Sequence, residues 1–502
     1  MAKTLMIQGT TSFAGKSFLA MSFCKIFADR GYKVAPFKAQ NTSLNSFVTK
    51  DGKEIARAQA LQALAAGVEP TVEMNPILIK PKGESKSQLV VNGKPLRDIE
   101  ARKYYREFVL TQGMQVIKKA FEKLEKKYEL IIIEGAGSPA EINLYKQDIA
   151  NMRVAEVANA PVILAADIER GGVFASIYGT INLLKEEHRK KVKGIVINKF
   201  RGDEEILKPG VEMIQDLTGK PVLGVIPFIK DLQLPDEDSV SLAVQRPRRP
   251  GNLDIAVIRF PRISNFTDFD PLVYEGFNVR YVERAEELGQ PDAVVLPGTK
   301  NTIEDLSWLK ERGFEEKIKA LQVPVIGICG GYQMLGRRII DSGIESERGV
   351  FKGLGLLDAE TRFEKFKKKT EQVEGKIIAS HGIFSGAKGT KISGYEIHMG
   401  RTKLGRKAKP IFNIKGKKEG AVDNSGLVFG TYLHALFDSP SFRKSFIRFI
   451  QFRSNKLLRK RGMTNYVDVR EAWTRSIERV AQVVQSSLDM QAIIKIIEAQ
   501  DD

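Results

Sequence analysis

The chain has 502 residues, 42% hydrophobic and 28% charged, a length that exceeds what one core usually serves and a balance that excludes wholesale disorder. Its 79 Lys+Arg against 61 Asp+Glu give a net charge of +18, which favours anionic partners but does not choose among nucleotides, nucleic acid and polycarboxylates. Two cysteines, Cys24 and Cys329, are too few for a disulfide framework or a zinc cage, and no apolar run approaches the roughly 20 residues of a membrane span.

From the start, MAKT runs directly into a strand pattern without the features of a signal peptide, so a cytoplasmic location is expected. The segments TLMIQG, KVAPFKA, LIIIEGAG, PVILAAD, KGIVINKF and PVLGVIP read as strands alternating with helix-like stretches. That alternation predicts a parallel sheet with crossover helices, and the wholly apolar runs suit strands covered on both faces. The first helix, SFLAMSFCKIFADRG, ends at Gly31 and carries Cys24 as a core thiol.

Between the first strand and that helix lies GTTSFAGKS, which supplies what a phosphate loop needs. Small residues let backbone N–H groups face phosphates, a lysine neutralises charge and a hydroxyl holds Mg2+. The candidate nucleotide contacts are Gly9, Thr10, Thr11, Ser12, Ala14, Gly15, Lys16 and Ser17. Glu134 ends the strand LIIIEGAG, where a carboxylate reaches a metal beside the phosphates; it reads as a metal ligand with Ser17, or as a group that positions water.

After GVIPF the pattern loosens through Pro235, Pro247, Pro250 and Gly251, placing a linker at residues 237–252 between domains at 1–236 and 253–502. A second strand series follows: LDIAVIRF, AVVLPGT, VPVIGICGG, GYEIHMG and GLVFGTYLH. Cys329, flanked by glycines at a strand-to-helix turn, has the form of a nucleophile elbow and is the expected reactive thiolate. Of four histidines, His434 is the expected base, with His398 in reserve and His381 weaker. His188 reads as a solvated helix residue. Backbone N–H groups of Gly298 and Gly330 are candidates for an oxyanion hole. From about Pro440 the chain reads as helices that cap or extend the second domain, and the basic run RKSFIRFIQFRSNKLLRKRG reads as an amphipathic, solvated helix rather than an RNA contact.

The loop, with Gly9 one position earlier than a standard phosphate loop requires, resembles that of dethiobiotin synthetase and its relatives, which phosphorylate a carboxylate or carbamate. Together with VAPFKAQNTSLNSFVT, EGAGSPAEINL, ADIERGGVFASIYGT, VINKFRGD, LPGTKNTIEDL, GICGGYQMLG, GYEIHMGRT and GTYLHALFD, it makes nearly the whole chain resemble the cobyric acid synthases, glutamine-dependent amidotransferases of cobalamin synthesis. That resemblance implies an N-terminal P-loop, dethiobiotin synthetase-like parallel-sheet domain and a C-terminal, flavodoxin-like class I amidotransferase domain. It implies ATP, Mg2+ and glutamine as reactants, a corrinoid polycarboxylate as substrate, and neither nucleic acid nor membrane as partner. Asn198 and Lys199 would lie near the nucleotide base. Lys38, Gln40, Asn41 and Asn45 are candidates for the phosphate or corrinoid side, and Asp167 and Arg170 are candidate substrate contacts. Two positions depart from the pattern: Phe13 stands where related loops carry Asp or Asn, and Leu436 stands where many class I amidotransferases carry the Glu that orients their histidine. The alternatives are the sister enzyme that makes the a,c-diamide and, in another class, a partition-type ATPase.

Overall fold

The computed structural model describes residues 2–83, 86–100, 103–236, 242, 249, 251–454 and 467–500. The first of its two six-stranded sheets joins Lys3–Gly9, Val34–Phe37, Leu130–Glu134, Val162–Asp167, Val192–Phe200 and Val222–Pro227. Numbered along the chain, these lie in the spatial order sixth, fifth, fourth, first, third, second, every neighbour parallel. The apolar runs behave as period-two strands buried on both faces. Ile131 and Ile133 enter one core with Met6, whereas Leu130 and Ile132 enter the other with Leu5 and Ile7.

Topology decides where this sheet can bind a ligand. The third strand lies on one side of the first and the fourth on the other, so the direction of winding reverses at the C-terminal end of Lys3–Gly9. Such a switch point opens a crevice beyond the strand ends, and the glycine-rich loop starts there. A smaller sheet of Gln40–Thr42, Ile77–Pro81, Lys86–Val91 and Lys94–Glu100 extends the module toward the second one.

The second sheet contains Asp254–Ile258, Asn278–Val282, Ala293–Leu296, Val325–Ile328, Ala421–Val422 and Val428–Thr431, in the order second, first, third, fourth, sixth, fifth. It is parallel except for its Ala421–Val422 edge. Beside it, Lys391–His398 pairs antiparallel with the short strand Leu433–His434, bringing Tyr395 opposite His434.

The linker at 237–252 falls largely outside the described residues. Three expectations need revision. His188 is buried, its imidazole stacked on Tyr145 and bonded through Nε2 to Glu156 at 2.7 Å. The C-terminal helices divide between the modules: Pro440–Ser454 buries Phe442, Phe446 and Ile450 in the second core, but Val469–Ser487 and Met490–Glu498 return to the first. There Ile477, Val480, Val484 and Ile493 pack with Leu5, Ile7 and Phe23, because the apolar stripes of these helices match the face left open by the Lys16–Asp29 helix. The later part of the basic run, beyond Ser454, lies outside the described residues, and Arg443 at its start is buried, bonded to Glu275 rather than solvated.

Candidate functional site

Cys329 follows the strand Val325–Ile328 and precedes the short helix Gly330–Leu335 with φ 50° and ψ −106°. A non-glycine residue holds such a backbone only when its surroundings impose it. The turn puts the thiol in a cavity of about 50 Å3 that His434 also lines, several times the roughly 10–15 Å3 one water requires. Gly298 is what lets the histidine in: a Cβ there would stand 3.1 Å from His434 Cε1 and 3.0 Å from Ser264 O.

His434 is oriented by a residue that sequence reasoning missed. Its Nδ1 lies 2.7 Å from Asp268 Oδ2, and Asp268 Oδ1 accepts the Ala435 N–H at 2.9 Å. Because a carboxylate only accepts, Nδ1 carries the donated proton and Nε2 is left for chemistry. Tyr395 stacks on the ring, with centroids 5.1 Å apart and planes 14° apart. Burial alone would lower the imidazole pKa, but Asp268 and then Cys329 outweigh it and push it up to about 9. Asp268 sits in the segment NFTDFD between buried Phe266 and Phe269. An acid flanked by two aromatics and drawn into a core was the available signal.

The other histidines are placed differently. His398 lines the same cavity, but its Nδ1 donates to Gly400 O at 2.8 Å and its ring stacks on Tyr432. His381 bonds the Asp423 carbonyl at 3.0 Å. Of the two expected oxyanion donors, Gly298 stands opposite Ser264 in a short antiparallel ladder, and its neighbours Thr299 and Lys300 line the cavity. A Cβ on Gly330 would lie 3.2 Å from Thr299 N, so the Gly330 and Thr299 backbones converge beside the thiol.

At the first sheet's switch point Lys16 Nζ donates to Thr11 O and Gly137 O, each at 2.9 Å, curling over the loop. Gly15 has φ 95°, and a Cβ there would stand 2.0 Å from Asn198 Nδ2; no other residue fits. Glu134, 1% exposed, accepts from Ser17 Oγ at 2.8 Å, Lys38 Nζ at 2.6 Å and Gln62 Nε2 at 2.6 Å, with Gln59 Nε2 at 3.2 Å. A hydroxyl and a carboxylate side by side at the loop's end fit the oxygen donors that Mg2+ takes together with phosphates and waters. Among the described residues no group of three or more His, Cys, Asp or Glu could hold a metal by itself.

The remaining candidates brace this loop or reach elsewhere. Asn198 Nδ2 donates to Ala14 O at 3.0 Å, while Lys199 Nζ reaches Phe13 O and Asp167 Oδ2, each at 2.8 Å. These two grip the loop backbone. Phe13 has φ 63°, is 41% exposed, and lies under the Arg170 guanidinium at 5.6 Å. Gln40 accepts from Tyr104 OH, and Asn41 donates to Gln59. Asn45 instead spans the modules: it accepts from Thr267 Oγ1 at 3.2 Å, next to Asp268 in sequence, and donates to Asp236 O at 3.0 Å.

One helix touches both centres. Arg57–Ala65 carries Gln59 and Gln62, which hold Glu134, and its first residue, Arg57, donates to Tyr395 OH at 2.8 Å. Tyr395 is the ring stacked on His434.

A model of the CobQ/CobB/MinD/ParA nucleotide binding domain matches residues 5–242, and one of the CobB/CobQ-like glutamine amidotransferase domain matches residues 254–442. The chain is 50% identical over 499 residues to a probable cobyric acid synthase of Methanosarcina mazei, covering 98% of this chain and 99% of that protein. It is 48% identical to a probable cobyric acid synthase of Methanothermobacter thermautotrophicus and 48% identical to a cobyric acid synthase of Dehalococcoides mccartyi, in each case over 99% of both chains.

Proposed function

The chain belongs to the cobyric acid synthase family, ATP-dependent ligases that draw nitrogen from glutamine, and from that premise we propose how its residues divide the work. The substrate is adenosylcobyrinic acid a,c-diamide, whose b, d, e and g carboxylates become amides. Cys329 attacks the glutamine amide carbon as a thiolate, and the Gly330 N–H with its neighbours near Gly298 steadies the oxyanion. His434, held by Asp268, gives a proton to the departing ammonia, leaving a thioester. It then takes a proton from the water that releases glutamate.

In the first module the loop from Gly9 to Ser17, with Lys16, holds the phosphates of ATP. A substrate carboxylate oxygen attacks the γ-phosphorus, ADP leaves, and ammonia displaces phosphate from the resulting acyl phosphate. Ser17 and Glu134 would hold Mg2+, which when bound neutralises charge on the phosphates. Asn198, Lys199 and Asp167 keep the loop in shape, and Lys38 pairs with the Glu134 carboxylate. The 237–252 segment divides the modules, and the location is cytoplasmic.

The observation that carries this reading is one chain holding both centres: the Cys329, His434 and Asp268 set and the phosphate loop facing Glu134. Incubation with ATP, Mg2+, glutamine and the a,c-diamide, followed by product mass, should show four added amides. Conversion of cobyrinic acid to the a,c-diamide instead would move the chain to the sister reaction. A Cys329→Ala protein that still released ammonia from glutamine would remove the thiol from its role.

A further inference from the structure

The cavity at Cys329 carries an excess of lysines that amide cleavage does not use. Lys80, Lys300 and Lys368 all line it, together with Glu345. Two of the three are already matched. Glu54, wholly buried, binds Lys80 through Oε1 at 2.6 Å and Lys368 through Oε2, and Ser46 Oγ accepts from Lys80 at 2.7 Å. Although burial works to raise the Glu54 carboxyl, Lys368 and Lys80 hold it well below the usual carboxylate range.

Lys300 differs. It is 9% exposed and, among the described residues, forms no ion pair. Burial, followed by the nearby Lys368, lowers its ammonium pKa to about 7, while Glu345 works in the opposite sense. Glu345 is therefore close enough to be felt yet is not its salt-bridge partner; one carboxylate oxygen accepts the Thr302 N–H at 2.8 Å. A buried amine and a buried carboxylate facing one cavity without touching make a pair that a zwitterion of opposite sense completes, since each group then gains the partner that burial demands.

We propose that this pair is the head-group site for the free amino acid: Lys300 takes the α-carboxylate of glutamine and Glu345 its α-ammonium, while Lys80, delivered from the first module, closes the pocket. The assignment rests on Cys329 as the site of glutamine cleavage. It also gives the substrate a way in. Glu345 is shared with a second cavity of about 920 Å3 whose wall includes Lys82 and Asp98 of the first module and Arg262 and Trp308 of the second. Glutamine enters between the modules, and its pocket is complete only when both are docked.

The test compares ammonia release by the full-length protein from L-glutamine, from 4-aminobutanamide, which lacks the carboxylate, and from glutaramic acid, which lacks the amine. In the unaltered protein each analogue should lose at least about tenfold in kcat/KM, the usual worth of a charged hydrogen bond. Lys300→Gln should raise KM for glutamine by a similar factor while shrinking the preference for glutamine over 4-aminobutanamide. Glu345→Gln should shrink the preference over glutaramic acid instead. Unaltered protein that cleaves 4-aminobutanamide as well as glutamine overturns the proposal whatever the variants do. Variants that lose all three substrates equally overturn it too, because a structural defect does not read the head group. Release that survives Cys329→Ala fails the reading beneath it, a distinguishable result.

Discussion

His434 Nδ1 and Asp268 Oδ2 are 2.7 Å apart although 166 residues separate them in the chain. Leu436 stands where the orienting glutamate of many relatives would be, and the carboxylate comes instead from a loop of the same module. Asp268→Asn should lower glutamine-dependent amidation by roughly 100-fold or more, since an amide at this position lets the ring take the wrong tautomer. Amidation supplied with ammonium chloride checks that the first module still works and should persist. Equal loss of both would remove Asp268 from the orienting role.

The same contact predicts a pH dependence. With its pKa up at about 9, His434 stays protonated across neutrality and loses its proton only near that value, so glutamine hydrolysis should fall above about pH 9. The folded pKa exceeds the ordinary one of about 6.5. The associated stability is therefore full below about pH 6.5 and is lost as pH rises through 9. NMR titration of the imidazole reports this directly, and in Asp268→Asn the midpoint should drop.

Glu134 gathers four donors from three segments. Replacing it with Gln takes the buried carboxylate out of its ion pair with Lys38, a destabilising change. ADP formation should cease, while ammonia release from glutamine should continue in whatever fraction remains folded. Circular dichroism sets that fraction. Undiminished ADP formation would rule out the assigned role.

Arg57→Ala removes the donor to Tyr395 OH, a phenol with its pKa already pushed far above normal by burial. Leaving that hydroxyl unsatisfied costs about 1–3 kcal/mol and frees the ring that backs His434. We expect kcat for glutamine hydrolysis to fall by about tenfold, with KM for glutamine little changed. A change confined to KM would point to the pocket instead.

Phe13 occupies the left-handed region, which costs a bulky residue roughly 1–2 kcal/mol and Asn much less. The Asp or Asn of related loops thus has a backbone reason at this position as well as a polar one. Phe13→Asn should raise thermal stability by up to about 1 kcal/mol, since contact with Arg170 offsets part of the strain in the native protein. A lower Tm would show that the aromatic contact dominates.

Much of this was legible from local signals. The strand LIIIEGAG, the loop to Ser17 and the glycine-flanked Cys329 each carry their chemistry within a few residues, where periodicity and turn residues act. Asp268 was not legible, because its role depends on a loop packing against a strand far along the chain. Asn45, Arg57 and Lys80 were likewise invisible as interface residues: nothing in KAQNTSLNS or in a single lysine of ILIKP says that another module will lie against it. His188 was misread because a charged neighbourhood hid the one helix face that turns inward.

The return of the last two helices to the first sheet has a consequence for how the molecule is made. Gln500 donates to Thr4 O at 2.8 Å and accepts from Thr4 N, so the second module is spliced into the first rather than appended to it. A ribosome delivers Leu5, Ile7 and Phe23 nearly five hundred residues before Ile493 arrives to cover them. Until then the first module lacks the side chains that complete this core, so the core closes only after the second module has been made.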